Sequence, residues 1–201
     1  MRNLFLIIIA AIIVIGFLFF MMTYTVRFTD KAVVTTFGRA GENASIETPG
    51  LKFKWPAPIQ STTVYDNRVR LLKTRDETQQ TSDQRQIVVG AFLTWRISDA
   101  LKFYTNFRGD AGPDPRQHYE AAEDKLEPIF RSAMSQVSQY RMSDLFAVGA
   151  ASKIPDLERA ILSRLETTDV DGKSTLDDFG IEVMLVGVSS IEFPQSATTQ
   201  V

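Results

Sequence analysis

Residues 4–22 form an unbroken run of nineteen apolar side chains, and no charge falls between Arg2 and Arg27. A helix rises about 1.5 Å per residue, so this run would be roughly 28 Å long, close to the roughly 30 Å hydrocarbon core of a bilayer. A helix in lipid satisfies its own backbone hydrogen bonds and needs no partner there. Residues 1–26 are therefore expected to be a membrane anchor, with Leu4, Ile8, Ile12, Phe17, Phe20 and Met22 in its apolar surface. Everything after it would be held at one membrane face. The competing reading is a cleaved signal peptide, which has a shorter apolar stretch, a basic start and small residues at the cleavage site. Here Phe17, Phe19, Phe20, Met21 and Met22 are bulky where small residues are needed, and only Arg2 precedes the run. An uncleaved anchor is the expectation. Arg2 before the run is balanced by Arg27 and Lys31 after it, with Asp30 between them, so charge leaves the orientation open.

Beyond the anchor there is room for one ordinary domain or two small ones. That part carries 21 basic against 24 acidic side chains, a formal charge of −3, and nothing in this balance points to nucleic acid. The chain has no cysteine, which excludes disulfides, zinc–thiolate sites and thiol chemistry within it. A single histidine, His118, excludes a histidine-rich metal site.

The pattern after the anchor is first β, then α, then a closing strand. Residues 24–28 and 32–37 read as strands, with Gly38 and Gly41 bracketing a turn. Pro49-Gly50 is a turn signal. Leu51, Phe53 and Trp55 alternate with Lys52 and Lys54 as in a short strand, closed by Pro56 and Pro58. Residues 62–73 read as one strand and 76–84 as a polar turn or hairpin end. Residues 86–97 are largely apolar on both faces, as suits a central strand. Asp99 is placed to cap a helix whose apolar face is Leu101, Phe103, Tyr104 and Phe107. Residues 117–140 carry apolar groups at spacings of three and four, the mark of an amphipathic helix, with Pro128 expected to kink or split it. A short helix is expected at 145–148, another at 154–167, and a long strand at 180–193 with Gly187 as a bulge. This order is α+β, not a regular βαβ alternation.

No reactive constellation accompanies that pattern. His118 follows Pro115 near a helix start and reads as a partly exposed helix-end histidine, with no nucleophile motif beside it. Lys125 and Ser132 are two turns apart on one helix face, where both residue types are common without any chemistry. Glu120, Glu123, Asp124 and Glu127 form an acidic cluster, and Glu127 with Arg131 an i,i+4 pair, so a solvated helix face explains them without metal. There is no phosphate loop or dinucleotide fingerprint. Catalytic, cofactor and metal sites are all expected to be absent.

One constellation does suggest a role. Lys52, Phe53, Lys54 and Trp55 alternate basic and aromatic groups, and Arg68, Arg70, Lys73 and Arg75 follow. Rings and snorkelling cations suit the headgroup layer of a membrane. Phe53, Trp55 and Pro56 are therefore expected to touch the proximal leaflet. The alternative is that Phe53 and Trp55 are core residues of a small sheet.

Four stretches also carry a likeness to a known family: Val34-Thr35-Thr36-Phe37-Gly38-Arg39; Pro49-Gly50-Leu51-Lys52-Phe53-Lys54-Trp55-Pro56; Trp95-Arg96-Ile97-Ser98-Asp99 with Phe103-Tyr104; and Phe179-Gly180-Ile181-Glu182-Val183 running to Phe193-Pro194. In this order and spacing the chain resembles the SPFH/band 7 proteins, the family of stomatin, prohibitin, flotillin and the bacterial pair HflK and HflC, and most of all its HflC branch. Phe37, Gly38, Pro49, Gly50, Trp95, Asp99, Gly180 and Pro194 are the motif positions. The resemblance implies an SPFH domain of mixed β-sheet with packed helices, divided into a membrane-proximal β-rich part at 27–98 and a second α/β part at 99–194. It implies that residues 195–201 begin a C-terminal helix that is otherwise absent or truncated. It further implies a non-catalytic oligomeric scaffold in a bacterial inner membrane, N-terminus cytoplasmic and domain periplasmic. The implied partners are membrane lipid, an HflK-like band 7 protein and an FtsH-like membrane protease. The alternatives are a stomatin-like organiser of lipid microdomains and, with less behind it, a membrane-anchored hydrolase.

Overall fold

The computed structural model describes residues 2–166 and 175–194, and the expected start of a C-terminal helix at 195–201 lies outside them. The chain forms two compact units that meet in sequence between Arg68 and Val69.

The first unit opens with α1 (Arg2–Met22). Its described side chains include Leu6, Ile8, Ile12, Phe17 and Phe20, all exposed, while Leu4 is outside them. Among the described residues no helix is long and apolar enough to cross a membrane. The chain passes straight into β1 (Thr23–Val26), which pairs antiparallel with β4 (Gly50–Phe53). Between them lie β2 (Asp30–Thr36) and β3 (Arg39–Ile46), and β5 (Gln60–Asp66) completes a second antiparallel sheet of order β3-β2-β5. Val26, Ala32, Val33, Ala44 and Tyr65 are the buried apolar residues of this unit.

The second unit is built on β8 (Gln86–Ile97), the strand expected at those same residues. On one side it pairs with β7 (Glu77–Gln80) along its first part and with β6 (Arg70–Lys73) along its last. On the other side it pairs with β9 (Ile181–Glu192). The odd-numbered residues of β8 from Ile87 to Ile97 are fully buried, as strand alternation dictates for a covered face. The helices also bury apolar faces: α2 (Ala100–Ala111), α3 (Pro115–Ala133) and α5 (Ile154–Glu166) contribute Phe103, Phe107, Leu126, Phe130, Leu157 and Ile161. Trp95 joins the layers, stacked on Phe103 at 6.3 Å and tilted against Tyr119 at 6.4 Å. A 3₁₀ segment (Met134–Gln139), the short helix α4 (Met142–Leu145) and α6 (Thr175–Asp178) complete the unit.

Several expectations are corrected. The single strand at 62–73 is two strands in different units, because Asp66 turns the chain by accepting from the Arg68 amide at 3.0 Å. The polar segment at 76–84 contains β7, whose register with β8 runs from Glu77↔Val89 to Gln80↔Gln86. Gly41 lies inside β3, and the turn before it is Phe37-Gly38. The helix starting near 117 begins at Pro115, capped by Asp114, and runs unbroken through Pro128 to Ala133. Gly187 is in register with Phe92 and is no bulge; the unpaired residues of β9 are Met184 and Ser189. A side chain at 187 would collide with the Phe92 ring, which is why glycine stands there. The two compact units divide at Arg68/Val69, and β6, β7 and β9 all pair with β8 in the second.

Candidate functional site

In the first unit, the β1–β4 ladder sets the position of the basic–aromatic segment. Its register is Thr23↔Phe53, Tyr24↔Lys52, Thr25↔Leu51 and Val26↔Gly50. The Lys54 amide donates to the Met22 carbonyl at 2.7 Å, so the segment is hydrogen-bonded to the last residue of α1. The Phe53 ring packs edge-on against Phe19 of that helix, with centroids 5.8 Å apart. Phe53 and Trp55 are nevertheless 63% and 59% exposed, which removes the alternative of core residues. Leu51 is exposed beside them. Lys52 donates to the Thr48 hydroxyl at 2.7 Å.

The loop after β4 is tied to a third exposed aromatic, Phe37. Trp55 donates its amide to the Gln60 side-chain oxygen at 2.8 Å, and Gln60 donates in turn to the Thr36 hydroxyl at 3.2 Å. The Phe37 amide donates to the Ile59 carbonyl at 2.8 Å. Phe37 sits at the β2–β3 turn with φ 49°, in the left-handed region, and its ring is exposed. Sequence reasoning placed Phe37 among the motif positions and at the end of a strand, which stops instead at Thr36. Its location between β-branched Thr36 and Gly38 was the signal that it occupies a hairpin tip. Pro49 and Gly50 enter β4, Gly50 at φ 128°.

The other motif positions serve the fold of the second unit. Asp99 caps α2, its carboxylate accepting from Leu101 and Lys102 amides at 2.8 and 3.1 Å. Gly180, at φ 70°, precedes β9, and Pro194 follows it. Arg68 belongs to the first unit and Arg70, Lys73 and Arg75 to the second, so the basic residues of the sequence are split between the two. Arg70 lies 3.6 Å over the Tyr119 ring.

The residues weighed for chemistry have structural roles. His118 is fully buried, which corrects the expected exposure. Its Nε2 lies 2.7 Å from the Gly112 carbonyl, and since a carbonyl only accepts, Nε2 carries the hydrogen. The Lys125 ammonium lies over the Phe107 and Phe179 rings at 5.0 and 5.4 Å, a cation–π position. Glu127 pairs with Arg131 at 3.1 Å, and Arg131 also pairs with Glu77. Burial raises the Glu123 carboxyl above its usual range, Arg70 draws it down, and Asp124 and Glu120 push it up again. Among the described residues no group of three or more His, Asp or Glu is placed to hold a metal ion.

The chain is α+β, with two small antiparallel sheets in the first unit, a helix-backed sheet in the second and an exposed aromatic–basic segment hydrogen-bonded to the end of α1. The sequence matches the SPFH domain / Band 7 family over residues 24–201, and the chain belongs to that family. It is similar to the modulator of FtsH protease HflC of Escherichia coli K12, 23% identical over 93% of this chain and 64% of that protein. It is also similar to Protein HflC of Haemophilus influenzae, 25% identical over 81% of this chain and 50% of that protein. Protein HflC of Buchnera aphidicola from Acyrthosiphon pisum is 22% identical over 85% of this chain and 55% of that protein. The chain thus spans between half and two thirds of the length of these relatives.

Proposed function

We propose that this chain is a membrane-anchored, non-catalytic scaffold of HflC type that modulates an FtsH-like membrane protease together with an HflK-like band 7 partner. The observation that carries this reading is the similarity, along 93% of the chain, to a protein named as a modulator of that protease. The apolar run of α1 supplies the anchor, long enough by sequence to reach across a bilayer's hydrocarbon core. Phe53, Trp55 and Pro56, next to the end of that helix, supply contact with the proximal leaflet, with Phe37 beside them. The family resemblance favours a bacterial inner membrane with the N-terminus in the cytoplasm and the domain in the periplasm. The mechanism is steric: neighbouring domains form a fence, and the fence limits which proteins reach the enclosed protease.

The test is gentle extraction of the full chain from its native membrane into nanodiscs, followed by mass spectrometry of co-purifying proteins and sizing. A large particle holding a second band 7 chain and an FtsH-like protease is the expected result. A small particle with neither overturns the reading in favour of a local lipid organiser.

A further inference from the structure

The second unit has a cleft of about 560 Å³ that none of the above uses. It lies where the β7–β8 turn meets the segment between the 3₁₀ turn and α4, and where β9 ends. The Ser82 amide donates to the Tyr140 carbonyl at 2.9 Å, and Asp83 accepts from the Met142 amide at 3.1 Å and from the Thr81 hydroxyl at 2.6 Å, so the walls are tied together. Two features line the opening. One is basic: Arg85, 3.5 Å from Asp83, and Arg141, whose side chain has no acceptor among the described residues. The other is apolar: Phe146 and Phe193 stack at 4.9 Å with their planes within 15°, and both rings remain accessible. Two stacked rings facing water beside an unpaired guanidinium call for a ligand surface with an apolar plate next to an acceptor.

The same chain carries such a surface on α3. Glu120, Asp124 and Pro128 follow one another at i, i+4 and i+8 and are all exposed. Neither Glu120 nor Asp124 has a cationic partner among the described residues, whereas neighbouring Glu127 is paired with Arg131. Pro128 sits inside the helix, where proline is costly. Its nitrogen carries no hydrogen, so the α-helical bond to the Asp124 carbonyl is not made. Asp124 presents an unpaired carboxylate one turn from the flat apolar ring of Pro128.

We propose that the cleft receives residues 124–128 of α3 from a second copy of this chain, with Arg141 on the Asp124 carboxylate and Pro128 against Phe146 and Phe193. Cleft and helix are different surfaces, so the contact is heterologous and repeats head to tail, generating a ring or row of domains. This inference rests on the scaffold reading and names the contact that reading lacks.

The absence of cysteine makes introduced thiols unambiguous. Full-length chains carrying Ser143→Cys and, under a second tag, full-length chains carrying Ser132→Cys are co-expressed in membranes and mildly oxidised. Mixed-tag disulfide dimers are expected to exceed same-tag dimers by about tenfold. Adding Arg141→Glu to the Ser143→Cys chain should cut the mixed product by about tenfold, and adding Asp124→Arg to the other chain should restore it. These positions are exposed, so thermal unfolding should be unchanged in all variants. A large assembly without mixed product overturns this contact and leaves the scaffold reading standing. Cross-linking only to a different band 7 chain overturns the second-copy assignment. Failure of Asp124→Arg to restore the product overturns the Arg141–Asp124 pairing. Absence of any assembly overturns both this contact and the scaffold.

Discussion

Gly180 is fitted against Asp99. The Gly180 carbonyl accepts from the Asp99 amide at 3.3 Å and from the Ser98 amide at 2.9 Å, while the Asp99 carbonyl occupies the space a side chain at 180 would need. The same Asp99 caps α2 through its carboxylate. One contact thus joins the end of β8, the start of α2 and the start of β9. Gly180→Ala must adopt φ 70° with a Cβ pressed on backbone, and is expected to destabilise the second unit by about 3 kcal/mol. Asp99→Ala loses only the cap, at about 1 kcal/mol. Denaturant unfolding of the two variants should rank them in that order; equal losses would mean that the close approach does not matter.

His118 joins the loop before α3 to the helix itself. His118→Leu keeps much of the buried volume but leaves the Gly112 carbonyl without its donor, for an expected loss of about 1–2 kcal/mol. His118→Gln can still donate and should lose less. Thermal unfolding separates these outcomes, and a Leu variant as stable as the parent would show that the bond is dispensable.

What was legible in the sequence is what local chemistry decides. Residues 86–97 are largely apolar and form β8, the strand with neighbours on both edges, and its limits agree with the expectation. Asp99 announces its own helix, and 154–167 reads as the helix that runs from Ile154 to Glu166. What was illegible depends on partners far along the chain. Glu77-Thr78-Gln79-Gln80 is polar and becomes a strand only because β8 offers its edge. Nothing local shows that residues 62–73 supply two units. His118 is buried by residues outside its own helix, so helix position alone misjudged its exposure. At the β4 segment, the alternation from Lys52 onward identified the strand, but only the β1–β4 register puts it beside the end of α1. Arg85 and Arg141 come together through Asp83 and Met142, a hydrogen bond spanning 59 residues that no motif encodes.

The acidic face of α3 gives the domain a defined pH response. Burial raises the Glu123 carboxyl, so the folded state holds this proton more tightly than the unfolded chain, whose value is near 4.3. Stability is then highest below the unfolded value and falls as pH rises through the folded one. Glu123→Gln should therefore raise the unfolding temperature at pH 7, and the gain should vanish near pH 3.5. Asp83 responds in the opposite sense. The Thr81 hydroxyl and then the Met142 amide lower its carboxyl, so its contribution is present above the unfolded value and is lost as pH falls through the folded one. Asp83→Asn should cost stability at pH 7 and little at low pH. Thermal unfolding from pH 3 to 8 tests both signs, and parallel curves for parent and variants would refute them.

Leaflet contact can be read from the two tryptophans of the chain. Trp95 is fully buried in the second unit, whereas Trp55 is 59% exposed in the segment hydrogen-bonded to the end of α1. In nanodiscs containing lipids brominated close to the headgroup, Trp55 should be quenched and Trp95 spared. Trp55→Phe should then abolish most of the bromine-dependent quenching while leaving stability within about 0.5 kcal/mol, because an exposed ring supports little of the fold. Lipids brominated deep in the acyl chain should quench less, since an indole favours the interface over the hydrocarbon core. Replacing Phe53 with Ser should weaken the shallow quenching of Trp55 by removing the exposed ring that ends β4 two residues before it and packs on Phe19. If Trp55 fluorescence is indifferent to bromine at every depth, the β4 segment does not meet the lipid, and its exposed rings need a protein partner instead.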